Sequence, residues 1–200
     1  PGANSFNCTA DYLDAGRDSD GTAARFWIEG KLDLLDSPGE WFFDQTNMEI
    51  YLWCEDNASP SQHDIRGRTI DRVMEMTNSS NITFENLMFF AGNFLIMHGD
   101  HRTFNHCTFS FPSYSKRMLG LREQPLNLDL DGGQDDTFYD CVFEYSENCA
   151  ITYHSAGTRR WRIENCLFHH ILWAQGRQGA VYGRKSEDDI FRRNTIHTIG

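Results

Sequence analysis

The sequence has few basic residues and no long apolar run. Lysine and arginine total 18 against 29 aspartate and glutamate residues, so the formal net charge is −11. A nucleic-acid partner needs a basic face for phosphate contacts, and an anionic membrane surface attracts basic segments, so this balance argues against both. No uninterrupted apolar stretch is long enough to span a bilayer, which excludes a membrane-spanning helix.

Apolar residues are nevertheless plentiful. The chain has 200 residues, of which 40% are hydrophobic and 14% aromatic. This content is too high for a disordered chain and is enough to bury the core of one substantial domain, or one piece of a larger one.

The cysteines have neither a C-x-x-C pair nor zinc-site spacing, which argues against zinc and thioredoxin-type chemistry. Six are present, and they allow 15 connectivities if all are paired. One or two disulfides in a secreted protein are the prediction. The disulfide candidates are Cys8, Cys54, Cys107, Cys141, Cys149 and Cys166.

No signal peptide precedes the first residues, Pro1-Gly2-Ala3, so we interpret the chain as an excerpt of a longer polypeptide or a processed one. Asn-x-Ser/Thr sequons are frequent, which is typical of a glycosylated, extracellular or cell-surface protein. The predicted glycosylation sites are Asn7, Asn57, Asn78 and Asn81.

Nine-residue segments recur along the chain and align without a gap. They are Asn81–Phe89, His101–Phe109, Asp135–Phe143 and Arg160–Phe168, and a fifth, Asp188–Ile196, has its asparagine one position later. The apolar anchors of the five segments are Phe84, Phe104, Phe138, Ile163 and Phe191, at spacings of 20, 34, 25 and 28 residues. Repeats of this length are typical of a solenoid or a stacked array.

Apolar and polar residues alternate within each segment, which predicts strands rather than helices. The alternation shifts by one residue at a polar position, and this shift predicts a bend between two short strands. The bend positions are Asn86, His106, Asp140 and Asn165.

Stacking these segments at the inter-strand spacing of about 4.8 Å aligns two inward columns. One is aromatic and consists of Phe89, Phe109, Phe143, Phe168 and Ile196. The other consists of Cys107, Cys141 and Cys166, which form either a disulfide between neighbouring coils or a stack of thiols.

A further strand per coil is predicted at Phe94–His98, Cys149–Tyr153 and Ala180–Tyr182. The longest spacing between anchors, 34 residues, has its extra residues between Pro112 and Gly133. These extra residues predict a projecting loop or one poorly patterned coil.

The segments Asn81–Leu87 and Ile163–Phe168 resemble the coil consensus of right-handed parallel β-helix proteins of the pectate-lyase-like superfamily. The resemblance covers about residues 65–200 and implies an all-β, right-handed parallel β-helix. In addition, Leu35–Asp44 is similar to a segment often found before the coils of carbohydrate-active β-helix proteins. The resemblance is specific for the fold and unspecific for the activity, since one fold hosts many functions.

The N-terminal part has a different pattern. Trp41–Asp44 and Met48–Trp53 flank the polar turn Gln45–Asn47 and predict a β-hairpin. We therefore divide the chain into residues 1–64, an irregular segment with a hairpin cap, and residues 65–200, the coils.

An acidic cluster surrounds Gly132 and Gly133. Asp129, Asp131, Asp135 and Asp136 offer the hard oxygen ligands that Ca²⁺ prefers, and the alternative is a solvated acidic loop. The segment Gly133–Asp136 is also similar to the paired-Asp motif of polygalacturonase-type hydrolases, which use two carboxylates as acid and base. The Gly-His-Gly and Arg-x-Lys motifs of that family are missing from the chain.

Lys185 and the strand-end histidines are the remaining chemical candidates. Lys185-Ser186 is similar to a segment of alginate-lyase-type β-helix enzymes, in which a basic residue abstracts a proton beside a uronate carboxylate. His98 and His154 would form an acid/base or sugar-binding row near Asp129, and ordinary turn histidines are the alternative. The catalytic candidates are Lys185, Asp129, Asp131 and His154.

Two classes of function stay open. The first is an extracellular, N-glycosylated module directed at polysaccharide or other glycans, by binding or by processing; an enzyme here would be a polysaccharide lyase or a glycoside hydrolase, with Ca²⁺ as the candidate cofactor. The second is a structural shaft module of an extracellular fibre or surface appendage, which associates end to end because an open end of stacked strands has unpaired backbone groups.

Overall fold

A computed structural model describes residues 30–70, 72–113, 128–153, 157–172 and 179–199, with the backbone alone for 128–131. Contacts divide the chain between Asn57 and Ala58, whereas the sequence analysis placed the boundary after residue 64. Short 3-10 helices occur at Leu32–Leu34 and Pro60–Gln62.

The first unit contains the predicted hairpin. Strands β1 (Trp41–Asp44) and β2 (Glu49–Leu52) pair antiparallel. The Asp44 carboxylate closes the turn by accepting the backbone N–H groups of Thr46 and Asn47 at 2.8 and 3.2 Å. An aspartate is well suited to this position because its short side chain reaches the backbone two residues on.

The second unit contains three parallel five-stranded sheets. Sheet 1 consists of β3 (Arg72–Thr77), β6 (Asn93–Met97), β9 (Leu128–Asp131), β12 (Ile151–Tyr153) and β15 (Val181–Gly183). Sheet 2 consists of β4 (Thr83–Glu85), β7 (Thr103–Asn105), β10 (Thr137–Tyr139), β13 (Arg162–Glu164) and β16 (Ile190–Arg192). Sheet 3 consists of β5 (Met88–Phe90), β8 (Thr108–Ser110), β11 (Val142–Ser146), β14 (Leu167–Ile171) and β17 (Thr195–Ile199).

The chain passes through sheets 1, 2 and 3 in the same order five times, and each pass is here called a circuit. Each strand therefore pairs with the strands of the preceding and following circuits. The all-β class and the parallel pairing of the repeats are confirmed.

The register of the sheets confirms the alignment of the nine-residue segments. Their five anchors pair in an unbroken series across sheet 2. The aromatic column, from Phe89 to Ile196, pairs in the same way across sheet 3. A shift of one residue would turn each strand's apolar set outward, so burial of this set specifies the register.

The inner side of sheet 3 is a ladder of stacked rings. The Phe143 ring lies 4.7 Å from that of Phe109 and 4.7 Å from that of Phe168, with an interplanar angle of 4° in both cases. All three side chains are buried. The ring spacing equals the inter-strand spacing of a sheet, so parallel pairing alone brings identical side chains into contact.

Single residues with left-handed backbone make the bends between sheets 2 and 3. These are Asn86, His106, Asp140, Asn165 and Arg193, with φ between 52° and 57°. The four predicted bend positions are thus confirmed. Asparagine, aspartate and histidine tolerate this conformation better than other side chains, which explains their recurrence here.

Strands β6, β12 and β15 confirm the predicted third strand of each circuit. Strand β9 belongs to the same sheet and was not predicted as a strand. Its backbone pairs with β6 and β12, Asp129 lying opposite Leu95 and Thr152. Asp129 and Asp131 are therefore strand residues, so at this end of the Pro112–Gly133 stretch the alternative of a poorly patterned coil holds and that of an acidic loop does not.

A buried ion pair joins two circuits before β7 and β10. Arg102 and Asp136 are both 1% exposed. Asp136 Oδ1 accepts the backbone N–H of Arg102 at 2.7 Å, and Oδ2 accepts its Nη2–H at 2.6 Å. Arg102 also donates to the carbonyls of His98 and Gly99 at 2.6 and 3.1 Å. The buried charges are thus paired and hydrogen-bonded, as burial requires.

Candidate functional site

The predicted catalytic residues do not converge in the part of the chain that the structure describes. Lys185 is exposed in a left-handed turn after β15. Asp129 and Asp131 belong to β9, and β12 lies between β9 and β15. Two inter-strand steps correspond to about 10 Å, beyond hydrogen-bond reach. His154 lies outside the described residues.

Asp135 and Asp136 are adjacent in sequence but have different partners. Asp135 accepts Nε–H and Nη2–H of Arg160, both at 2.7 Å, and this contact lowers the pKa of Asp135 below its ordinary value. Asp136 pairs with Arg102 in the interior, where burial raises the pKa of Asp136. The two carboxylates therefore do not share one site, as an acid/base pair of a hydrolase would.

Two of the four predicted Ca²⁺ ligands, Asp135 and Asp136, are paired with arginines instead of being free to bind the ion. In the described ranges, no three His, Cys, Asp or Glu side chains are grouped in a way that could enclose a metal ion. The side chains of Asp129 and Asp131 lie outside the description, so their part in a Ca²⁺ site stays a prediction.

The sequon asparagines that the structure describes lie in exposed left-handed turns. Asn57, Asn78 and Asn81 have φ of 59°, 53° and 59°. Asn57 Oδ1 also accepts the indole N–H of Trp53 at 2.7 Å. Asn7 lies outside the described residues. Glycosylation at these positions stays a prediction.

The cysteine column is a stack of thiols in place of a disulfide. Cys107, Cys141 and Cys166 are free and buried, and each Sγ lies 3.4 to 3.6 Å from a backbone carbonyl of the preceding circuit. The hydrogen bond with Cys166, together with burial, raises the pKa of the Cys141 thiol. A thiol held protonated reacts slowly with oxidants.

The remaining disulfide candidates are separate from this column. Cys54 is a free, buried thiol in the first unit. Cys149 is also buried, with Sγ 3.0 Å from Thr152 Oγ1. Cys8 lies outside the described residues.

The outer side of sheet 3 carries polar side chains in register. We call Ser110, Glu144, His169 and His197 the outer row; they are consecutive partners across β8, β11, β14 and β17. The Ser110 hydroxyl donates to Glu144 Oε1, and His169 Nε2 lies 3.2 Å from Glu144 Oε2. The His197 ring stacks on that of His169 at 5.4 Å and 6°.

Aromatic rings flank the outer row at the next position along the chain. We call Phe111, Tyr145 and His170 the aromatic strip. The Tyr145 ring stacks on Phe111 at 5.1 Å and on His170 at 5.0 Å. Phe111 is 42% exposed and Tyr145 39% exposed, and His170 is also exposed. Water therefore has access to large rings that a soluble protein usually covers.

The backbone of the aromatic strip is left-handed at every member. The φ angles of Phe111, Tyr145 and His170 are 53°, 55° and 53°. Phenylalanine and tyrosine are disfavoured in this conformation, at a cost of about 1–2 kcal/mol each, whereas histidine tolerates it better. The equivalent residues Ala91 and Thr198 are also left-handed, with φ of 51° and 53°, so the fold imposes this backbone on every circuit. The large exposed rings at this position make the strip the leading candidate.

Chemically, the outer row and the strip combine two capabilities. The Glu144 carboxylate and the His169 imidazole can accept or donate protons and hydrogen bonds. The rings of the strip stack on one another, so they offer a ligand their apolar edges and the outer face at each end of the stack. The site is therefore suited to a ligand that has both hydroxyl groups and apolar C–H surface.

The sequence contained a signal for this site. The outer row occupies the position that immediately follows the second to fifth nine-residue segments, and the strip occupies the next position after the second to fourth. The sequence analysis ended each aligned segment at its final apolar residue. Extending the alignment by two positions would have placed these side chains in columns.

No protein-family model, no curated protein and no solved structure matches this chain. Among the residues described, no helix has the length and apolarity needed to cross a bilayer. The function is therefore argued from the geometry of the chain itself.

Proposed function

We propose that the second unit is a right-handed parallel β-helix related to the pectate-lyase-like superfamily. The repeated visits to three parallel sheets and the one-residue left-handed bends support this fold. Right-handedness follows from the general rule for crossover connections between parallel strands. The resemblance of Asn81–Leu87 and Ile163–Phe168 to the coil consensus supports the superfamily.

The proposed function is binding of an extracellular polysaccharide along the outer side of sheet 3. The exposed, left-handed aromatic strip is the observation that carries this proposal. The rings contact one another but remain largely in water, and backbone propensity opposes phenylalanine and tyrosine at these positions, so a ligand contact is the favoured explanation.

The direction of the strip fits a polymer. Phe111, Tyr145 and His170 lie on successive circuits, so the strip crosses the strands at steps of about 4.8 Å. A glycan laid along this direction would place successive sugars against the edges of successive rings. Its hydroxyl groups would meet Glu144 beside the strip, whose carboxylate oxygens can each accept a further hydrogen bond.

Binding is favoured over hydrolysis by the composition of the outer row. Glycoside hydrolysis generally uses two carboxylates flanking the scissile bond, and Glu144 is the carboxylate of this row. The proposal therefore assigns no reaction. The net charge of −11 repels polyuronates, so neutral polysaccharides are the expected ligands.

An extracellular location is part of the proposal. The exposed sequon turns at Asn57, Asn78 and Asn81 support it, because N-glycosylation requires an accessible asparagine in a secreted chain. Mass spectrometry of protein from the native source, before and after enzymatic removal of N-glycans, tests it. An unchanged mass would contradict glycosylation.

The test of binding is affinity electrophoresis against neutral and uronate polysaccharides with a matched pair of variants. Tyr145→Ala removes the central ring of the strip and is expected to weaken retardation by the bound polysaccharide by up to about tenfold, since an aromatic contact contributes on the order of 0.5–1.5 kcal/mol. Tyr139→Ala is the control: Tyr139 is 43% exposed, on the outer side of sheet 2. Equal retardation of the two variants, or none of the wild type, would refute the proposal.

A further inference from the structure

His170, the third ring of the aromatic strip, is held by a hydrogen bond with the histidine that precedes it. The Nδ1 atoms of His169 and His170 face each other at 2.8 Å. The His170 ring also stacks on the Tyr145 ring at 5.0 Å. The place of His170 in the strip therefore depends on the contact between the two imidazoles.

This contact requires that one of the two facing nitrogens carries no proton. Glu144 Oε2 lies 3.2 Å from His169 Nε2, and a carboxylate accepts hydrogen bonds without donating them, so Nε2 carries a proton. In the neutral His169 ring, Nδ1 is then the acceptor, and His170 Nδ1–H is the donor. Protonation of His170 at Nε2 preserves this bond and charges its donor. Protonation of His169 at Nδ1 as well removes the acceptor.

The doubly protonated pair is incompatible with the present geometry. Two N–H groups would point at each other across 2.8 Å, which leaves no room for both hydrogens. A half-turn of the His170 ring gives no relief, because its Cδ2–H group would then face the same N–H. The His169 side chain is 14% exposed and contacts Glu144, whereas His170 is exposed. His170 is therefore the ring that swings away, and it leaves Tyr145 as it does so.

The surroundings determine how strongly the pair resists the second proton. Among the described residues, the titratable groups that face the pair are Glu144 and Tyr145 of β11 and His197 of β17. The Glu144 carboxylate favours a charged His169, whereas a charged His197, stacked at 5.4 Å, opposes it. Charge on His170 opposes it as well, so the second proton binds at lower pH than the first. Imidazole gains its charge between about pH 8 and 5, which places double protonation toward the acid end of this range.

We propose that the His169–His170 pair is a pH switch that retains the His170 ring in the aromatic strip at neutral pH and releases it in acid. The strip then has three rings at neutral pH and two, Phe111 and Tyr145, in acid. The consequence for binding, which rests on the proposed glycan site, is weaker binding of a neutral polysaccharide in acid. Loss of one aromatic contact corresponds to about 2- to 10-fold in affinity.

Side-chain NMR of the full ¹⁵N-labelled chain between pH 7.5 and 4.5 tests the switch without a ligand. At pH 4.5 both ring nitrogens of His169 and of His170 should carry protons, and the nuclear Overhauser contact between His170 and Tyr145 should be lost. The contact between Phe143 and Phe168 should persist, because the inner ladder does not titrate. Retention of the His170–Tyr145 contact at pH 4.5 would overturn the proposal.

Glu144→Gln tests the mechanism of the switch. The glutamine lacks the negative charge that favours protonation of His169, so release of His170 should move to lower pH. Release at the same pH as in the wild type would mean that the second proton does not enter at His169.

Calorimetric titration with two neutral polysaccharides, galactomannan and mixed-linkage β-glucan, tests the consequence for binding. Wild-type affinity should fall about 2- to 10-fold between pH 7.5 and 4.5. His170→Asn lacks the pair and should lose this pH dependence, and asparagine tolerates the left-handed backbone. His101→Asn is the matched control and should retain the dependence: His101 is exposed and left-handed, and Asn81 already occupies the equivalent position of the preceding circuit.

The two measurements separate the switch from the glycan site. Absence of wild-type binding at pH 7.5 would refute the glycan site, and the NMR spectra would still decide whether the pair opens. Equal affinity at the two pH values in a chain whose His170 ring has left Tyr145 would refute the regulation and leave the glycan site in place. The same pH dependence in His170→Asn as in the wild type would refute the switch.

Discussion

The inner and outer sides of sheet 3 differ in how uniform their residue types are, although the same five strands form both. The inner side repeats one residue type, with Phe109, Phe143 and Phe168 stacked at 4.7 Å. The outer side varies between circuits: Ser110, Glu144 and His169 are consecutive partners. Identical spacing and identical backbone pairing therefore support a uniform column on one side and a varied one on the other.

The difference lies in what each position must satisfy. An inner side chain has to fill a closed space at interior packing density, which leaves few residue types acceptable. An outer side chain is constrained mainly by solvent and by its ligands. Variation on the outer side thus carries functional information, and the most informative positions are those, such as Tyr145, where the residue opposes the local backbone preference.

The largest expected effect is on the inner side. Phe143→Ala should lower the free energy of unfolding by about 3–5 kcal/mol, because Phe143 is 0% exposed and its removal leaves a cavity between two stacked rings. Chemical denaturation monitored by circular dichroism measures this loss. Leu167→Ala, at a half-buried outer position of β14, is the control and should cost less. A loss below about 1 kcal/mol for Phe143→Ala would mean that the column is not a packed core.

A buried ionisable side chain makes the stability of the interior depend on pH, and this dependence can be measured. Tyr153 is 9% exposed, and burial together with Asp189 raises the pKa of Tyr153 to about 12. Because its folded-state pKa exceeds the unfolded value of about 10, its contribution to stability is complete below pH 10 and is lost as the pH rises through 12. The expected loss is about 2–3 kcal/mol.

The matched variant for this prediction is Tyr153→Phe. It retains the ring that stacks on Trp161 at 5.9 Å and removes only the hydroxyl. Unfolding free energies of the two proteins, measured at intervals between pH 9 and 12, should approach each other as the pH rises. Parallel curves would show that Tyr153 ionises as readily in the folded chain as in the unfolded one.

On the outer side of sheet 3, a substitution should change stability little and ligand binding strongly. Tyr145→Gly should change the free energy of unfolding by only about 1 kcal/mol in either direction, since relief of the left-handed backbone offsets the lost ring contacts. The same variant should lose polysaccharide binding. Thermal unfolding and affinity electrophoresis on one preparation measure both effects. A destabilisation comparable to that of Phe143→Ala would place Tyr145 among the structural residues and remove the main support for the glycan site.

This contrast also explains how much of the molecule the sequence predicts. Apolar alternation predicted the anchor and aromatic columns, and the shift in phase at Asn86 and Asp140 predicted the bends, because burial imposes the same requirement on every circuit. The pairing of Asp136 with Arg102 was not predictable from spacing, since the two residues lie 34 positions apart and their meeting depends on the length of the intervening segment. Strand β9 was missed because its aspartates do not follow the apolar pattern of the other strands of sheet 1.

Substitution of a bend residue between sheets 2 and 3 should give the smallest change in the free energy of unfolding. Asp140 has φ of 56°, and its carboxylate accepts the Asn165 Nδ2–H at 2.8 Å and lies 2.8 Å from His106 Nε2. Asp140→Asn should change the free energy of unfolding by no more than about 0.5 kcal/mol, as exposed charge pairs contribute little and asparagine tolerates the same backbone. Asn86 and Asn165 already occupy equivalent bends, so an amide fits this position.

A pair of denaturation curves for Asp140→Asn and Asp140→Val separates the two properties that Asp140 combines. Valine keeps neither the charge nor the tolerance of left-handed backbone, so it should cost clearly more than asparagine, by about 1–2 kcal/mol. Equal losses would mean that the interaction of Asp140 with His106 and Asn165 determines the bend. A loss confined to valine would mean that the backbone preference determines it, and the requirement for Asn, Asp or His at the bend would then be as much a rule of the fold as the requirement for phenylalanine inside.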